Sequence, residues 1–158
     1  MRGTGLRGAG ILHRALGTLA GLVLACVPLA AVAVPQSPEG QWMTQERGAV
    51  IAIEPCGPRL CGRIVGIADW PADGSAPVDV HGRPQCGLAI ITDVRPGSAN
   101  RWAADITDPE NGHVYDAQLW VDEDGQLHVR GYVGLPLFGE TQVWTPYSAP
   151  VPRDCRLG

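Results

Sequence analysis

Prolines recur throughout the chain beyond residue 33 and leave few windows in which a helix of any length could form. Each proline inside a helix removes a hydrogen bond and introduces a clash, so the fold has to be assembled from short extended segments. The residues between the turn signals agree with that. They are rich in Val, Ile, Trp, Tyr and Thr and tend to alternate apolar with polar, the period of a strand with one face buried. Leu127, Val129, Gly131 and Val133 form one apolar face against His128, Arg130 and Tyr132, and Tyr115, Ala117, Leu119 and Val121 oppose Asp116, Gln118 and Trp120 in the same way.

The pattern predicts eight strands, near residues 40–44, 48–54, 59–67, 87–94, 101–106, 113–121, 126–134 and 140–146. Asp108-Pro109-Glu110-Asn111-Gly112 and Asp122-Glu123-Asp124-Gly125 both end in glycine, where a tight hairpin turn needs positive φ. Short strands joined by hairpins read as a meander. A meander of this length removes its sticky edges most simply by closing into a barrel; a sandwich is the alternative. The expected fold class is therefore all-β, a single antiparallel barrel of about eight strands. The long gap at 68–86, punctuated by Pro71, Gly74, Pro77, Gly82 and Pro84, is expected to be a loop over one barrel end.

The N-terminus has the three parts of a secretory signal. Arg2, Arg7 and Arg14 make it positive, an apolar stretch begins at about Ala15, and Ala31-Val32-Ala33 offers the small-x-small cleavage pattern. Cleavage after Ala33 would leave residues 1–33 as signal peptide and 34–158 as one domain, exported to the periplasm or the exterior. A retained anchor is disfavoured by Gly17, Thr18, Gly21 and Pro28 within the stretch. Lipid attachment at Cys26 is a minority alternative. Leu24 is unusual in Val23-Leu24-Ala25-Cys26, and the chain stays apolar after Cys26 as far as Val34.

Beyond residue 33 stand nine arginines, no lysine and sixteen acidic residues, a net of −7. Nucleic acid demands a basic face, and anionic lipid does too, so neither is an expected partner. No later apolar run reaches spanning length, so no transmembrane anchor is expected after processing. Four cysteines remain: Cys56, Cys61, Cys86 and Cys155. In an oxidising compartment an even count reads as disulfides. Cys56 and Cys61 flank the turn-like Gly57-Pro58-Arg59-Leu60 and are expected to pair, which assigns Cys86 to Cys155. A four-thiolate zinc site would want two close pairs, and Cys86 and Cys155 are not one.

Taken in order, several of these residues resemble the DUF2147 family of bacterial exported proteins. The likeness is carried by Gly40-x-Trp42, Cys56-x-x-x-Leu60-Cys61-Gly62-Arg63-Ile64-Val65 and Arg83-Pro84-x-Cys86-Gly87-Leu88. It continues in Asp108-Pro109-Glu110-Asn111-Gly112-x-x-Tyr115, Leu127-x-Val129-Arg130-Gly131-Tyr132-Val133-Gly134 and Thr141-Gln142-Val143-Trp144-Thr145. The resemblance implies a lipocalin-like β-barrel and no activity, since the family is one of unknown function. Pro146 stands near where such proteins usually carry an arginine. A lipocalin-type arginine over the Trp of Gly-x-Trp would then have to come from elsewhere, with Arg130 as the candidate.

No catalytic residue, metal site or cofactor is expected. His81, His113 and His128 read as surface histidines, and no serine lies in a nucleophile-elbow pattern. The set with functional promise is Trp42, Arg63, Arg130, Tyr132 and Trp144 as a pocket or barrel lining. Inward arginines would have to be paired or bind an anion, with Glu54 and Asp116 as available partners. The function expected on these grounds is non-catalytic binding of a small apolar or envelope-derived ligand. The alternative is a structural or interaction protein that meets an envelope protein through its surface or the 68–86 loop, and an enzyme ranks third.

Overall fold

The structure is a computed structural model and describes residues 35–158. The expected signal segment, its cleavage point and Cys26 lie outside the described residues. Eight antiparallel strands follow one another in chain order: β1 Gly40–Met43, β2 Ala49–Cys56, β3 Arg59–Ile67, β4 Ala89–Pro96, β5 Trp102–Thr107, β6 Val114–Val121, β7 Leu127–Tyr132 and β8 Glu140–Pro146. Each pairs with the next, and β8 pairs with β1 through Trp42↔Pro146 and Met43↔Thr145. That last pairing closes a barrel and sets the sandwich aside. Every strand expected from the alternation is present, with ends displaced by two residues at most.

The two glycine-ended turns have the backbone they require, since φ is 75° at both Gly112 and Gly125. Aspartates start them. Asp108 Oδ1 accepts from the Glu110 amide at 2.8 Å, and Asp122 Oδ1 accepts from the amides of Asp124 at 3.0 Å and Gln126 at 2.8 Å. These turns fix the register Val121↔Leu127 and Thr107↔Val114, and the register decides which alternate residues point inward.

Along β6 and β7 the face of Leu119 and Val129 is the inner one, although Val133 at the end of that face is 74% exposed. Ala117, Leu119, Leu127 and Val129 are buried in the core, together with Ile51, Ile53, Ile64 and Ile91. Ile51, Ile91, Leu119 and Leu127 are completely shielded, and burial of each contributes about 1.5–3 kcal/mol. A register shift lies between Val50 and Ile51. It inserts Val65 as an extra residue in β3, so Ile64 and Ile67 both turn to the core.

Outside the barrel the C-terminal tail lies along β3. The Ile67 amide donates to the Cys155 carbonyl at 2.6 Å and the Leu157 amide to the Ile67 carbonyl at 2.9 Å. Both disulfides have the expected pairing. Cys56–Cys61 closes the β2–β3 hairpin and Cys86–Cys155 ties the long loop to the tail, each with Cα atoms 5.8 Å apart. Two such bonds fit an oxidising, exported environment. Among the described residues no helix is long and apolar enough to cross a membrane.

The 68–86 loop is ordered around one carboxylate. The Asp79 side chain, 1% exposed, accepts from the amides of His81 and Arg83 and from Arg83 Nε at 2.7 Å. The Val80 amide donates to the Pro109 carbonyl at 2.9 Å, which holds the loop against the β5–β6 hairpin. A 3₁₀ turn at Pro136–Phe138 was not expected from the sequence pattern.

Candidate functional site

The two ends of the barrel differ. At one end the segment before β1 acts as a strap. Trp42 Nε1 donates to the Pro38 carbonyl and Trp102 Nε1 to the Gln36 carbonyl, both at 2.8 Å, and Pro38 is fully buried. β1 and β5 stand on opposite sides of an eight-strand circle, so a segment touching both has to run across the end between them.

The other end is open. A cavity of about 510 Å³ enters it, with Ile90, Val129 and Trp144 in its apolar part, Ile106, Tyr115 and Gly131 in its wall, and Thr44, Asp108, Glu110, Glu140 and Gln142 among its polar lining. Ala104, Ala117 and Gly131 are in direct cross-strand register, and Glu140 completes the row. Ala104 and Ala117 belong to the packed core, and Gly131 lines the cavity. An eight-stranded barrel has just enough interior to be filled by side chains, so the missing side chain at Gly131 leaves space.

Trp144 closes the inner end of that space with its ring fixed, because Nε1 donates to Gln142 Oε1 at 2.8 Å. Trp144 is 2% exposed and Trp42 6%, and both are buried in the core. Only Trp144 lines the cavity.

Arg63, Arg130 and Tyr132 are corrections. All three lie on the outer face, because they alternate with the core residues Ile64 and Val129 and with inward Gly131. Arg63 Nη1 donates to the Gly87 carbonyl at 3.2 Å. Arg130 clasps the 3₁₀ turn from outside, with Nε donating to the Pro136 carbonyl and Nη1 to Thr141 Oγ1, both at 2.7 Å, and Nη2 to the Leu137 carbonyl at 3.2 Å. It therefore does not cover Trp42, whose place is secured by the strap. The barrel encloses no guanidinium among these candidates, and an internal anion site on them falls away.

Sequence reasoning missed Gly131, Glu140 and Ile106 as lining residues. A signal was present, since the register set by the Asp122–Gly125 turn puts Ala117 opposite Gly131, but alternation alone ranks small residues as ordinary core. His128 Nε2 lies 2.7 Å from Asp122 Oδ2 on the outer surface, its ring stacked on Trp120 at 4.8 Å. Asp122 is held below the usual carboxylate range, chiefly by the Gln126 amide and then by His128. Among the described residues no three metal-ligating side chains come together.

The family pattern for "Uncharacterized protein conserved in bacteria (DUF2147)" matches residues 40–146. The chain belongs to the DUF2147 family. The matched span takes in every strand of the barrel and ends before Cys155, so within this DUF2147 member the second disulfide joins the family region to the tail beyond it. Among solved structures the chain is similar to protein HP1028 of Helicobacter pylori, which is described as belonging to the lipocalin family. The two share 17% identity over 75% of this chain and 85% of that one, with a TM-score of 0.57. At that identity the likeness concerns the fold alone, and it agrees with a lipocalin-like barrel. No curated protein matches.

Proposed function

We propose that this DUF2147 barrel is an exported protein that holds one small, mostly apolar molecule in the open cup. The observation that carries the reading is the cavity itself. At about 510 Å³ it falls within the ~300–1,000 Å³ usual for small-molecule sites, and its inner part is Ile90, Val129 and Trp144. Binding is favoured over nucleophilic catalysis because the lining contains no histidine, cysteine or serine. Cleavage after Ala33 and passage to the periplasm or exterior belong to the same reading, supported by the signal pattern and by the two disulfides. The intact mass of protein recovered from outside the cytoplasm tests the cleavage.

Native mass spectrometry after gentle purification, with titration of an apolar fluorescent probe, tests the cup. One equivalent of bound species is expected, and Gly131→Val should weaken probe binding at least about tenfold by filling the space with side chain. Repeated recovery of an empty barrel together with no stoichiometric probe binding overturns the reading.

A second reading, contact with another envelope protein, is favoured by Val78 and Val80, which are 52% and 51% exposed in the pinned loop. Cross-linking in the intact envelope from position 80 that recovers no partner removes its support.

A further inference from the structure

The cup has a charge as well as a volume, and the charge has one sign. Asp108, Glu110 and Glu140 contribute carboxylates to the lining, which contains no arginine or histidine, and the chain has no lysine at all. The basic residue on the adjoining strand, Arg130, has its three donor nitrogens committed outward to Pro136, Thr141 and Leu137, so it cannot neutralise the opening without breaking that clasp. Asp108 is fixed in place by the Glu110 amide and by Asn111 Nδ2 at 2.7 Å. Glu140 is different. It stands opposite inward-facing Gly131, and among the described residues its carboxylate takes part in no hydrogen bond or ion pair. Tyr115 and Trp144 bring aromatic surface into the same cavity, and ring faces attract cations.

Resting on the reading of the cup as an apolar binding site, we propose that its ligand carries a positive charge on an apolar body: an amphipathic amine or quaternary ammonium compound, with the body against Val129 and Trp144 and the cation among the carboxylates. The cavity supplies affinity for the body. The carboxylates select the charge, because a carboxylate-headed ligand such as a fatty acid would enter a field of like sign.

Calorimetric titration of the oxidised protein with three probes of one chain length, each below its micellar concentration, tests this. The probes are dodecyltrimethylammonium, dodecanol and dodecanoate. At low ionic strength the ammonium is expected to bind one equivalent at least about tenfold more tightly than dodecanoate, with the alcohol between them. Added salt should narrow the gap. The double variant Glu110→Gln/Glu140→Gln should erase most of it, and Gly131→Val should weaken all three. Dodecanoate bound as tightly as the ammonium, or a preference that survives in the double variant, overturns the charge assignment and leaves the cup standing. Binding of none of the three, or binding untouched by Gly131→Val, overturns the cup reading and the charge assignment together.

Discussion

Gly131 stands directly across the β7–β8 ladder from Glu140, so a position with no side chain faces one that carries a carboxylate into the barrel mouth. A Cβ built on Gly131 would meet Ile106 Cγ2 at 3.8 Å and Tyr115 Cβ at 3.9 Å, ordinary contact distances. The glycine is therefore not required by sterics or by backbone, since its φ is not positive. It is required only if the space is used.

Gly131→Ala and Gly131→Val should consequently keep the fold and raise stability by about 0.5–1 kcal/mol, because a glycine inside a strand costs chain entropy and packs nothing. Thermal melts measure this, and the same variants should lose ligand. A variant that melts lower than wild type would mean the cup is not empty space at that level.

Gly62 is the opposite case. Its added Cβ would lie 2.9 Å from Ile91 Cβ and 3.0 Å from Ile91 Cδ1, and Ile91 is fully buried, so the neighbour cannot yield. Gly62→Ala should destabilise by about 1–3 kcal/mol through overpacking. In a double-mutant cycle, Ile91→Gly should recover part of the loss, since it removes the Cβ, Cγ1 and Cδ1 atoms that the added methyl would meet. Additive effects would place the damage elsewhere.

The disulfides close loops of very different length, with sequence separations of 5 for Cys56–Cys61 and 69 for Cys86–Cys155. In the chain-entropy account the short loop contributes about 2 kcal/mol and the long one about 4. Reductant should lower the melting temperature, and Cys86→Ser should lower it more than Cys56→Ser. The long bridge has a second effect, because it holds the tail whose Leu157 covers Gly66. Four reactive thiols in the folded, non-reduced protein would contradict both effects.

The barrel was legible because each of its determinants is local. Alternation marks the strands, and Gly112 and Gly125 mark the turns that set the register of β5, β6 and β7. Which residues face inward was legible for the same strands, yet the face holding Arg130 and Tyr132 looked suitable for a pocket and lies outside. Period two divides a strand into two faces and is silent on which is inner when both carry large residues, and the core side here is identified by Leu127 and Val129 together with their partners on β6 and β8. The extra residue at Val65, which redirects Ile67, left no mark in the alternation. The cup was not read from the sequence either, since Ile90, Ile106, Tyr115, Gly131 and Trp144 line it from five different strands, a relation that exists only after pairing. Arg130 was noticed for its charge, but two of its three acceptors lie in a 3₁₀ turn that no periodicity announces.

Arg130→Ala should release that turn. Three charge-assisted hydrogen bonds lost at a partly exposed site are expected to destabilise by about 1–3 kcal/mol in all. Lysine should rescue little, because it lacks the planar fork that reaches two carbonyls and a hydroxyl together. Amide exchange at residues 137–139 should accelerate in both variants while exchange at Leu119 and Leu127 stays slow. Uniform acceleration would show the clasp to be part of the global fold and not a local device.

Asp79 gives the loop a pH dependence whose sign is fixed. Burial acts to raise its pKa, but the Arg83 amide and guanidinium and then the His81 amide outweigh it and hold the carboxyl below its ordinary 3.8. A depressed folded value means that the folded state binds the proton less readily than the unfolded one. The stabilisation is therefore fully present above the ordinary aspartate pKa and disappears as pH falls through the lowered value. Melting temperatures of wild type and Asp79→Asn should differ by a constant amount above about pH 5 and converge in stronger acid. The variant should also loosen the Val80 amide, which donates to Pro109 beside the cup, so the convergence in melting temperature should run parallel to faster exchange at Val80 in the wild type. A difference that grows as pH falls would mean that Asp79 is protonated in the folded protein, contrary to the three donors that surround it.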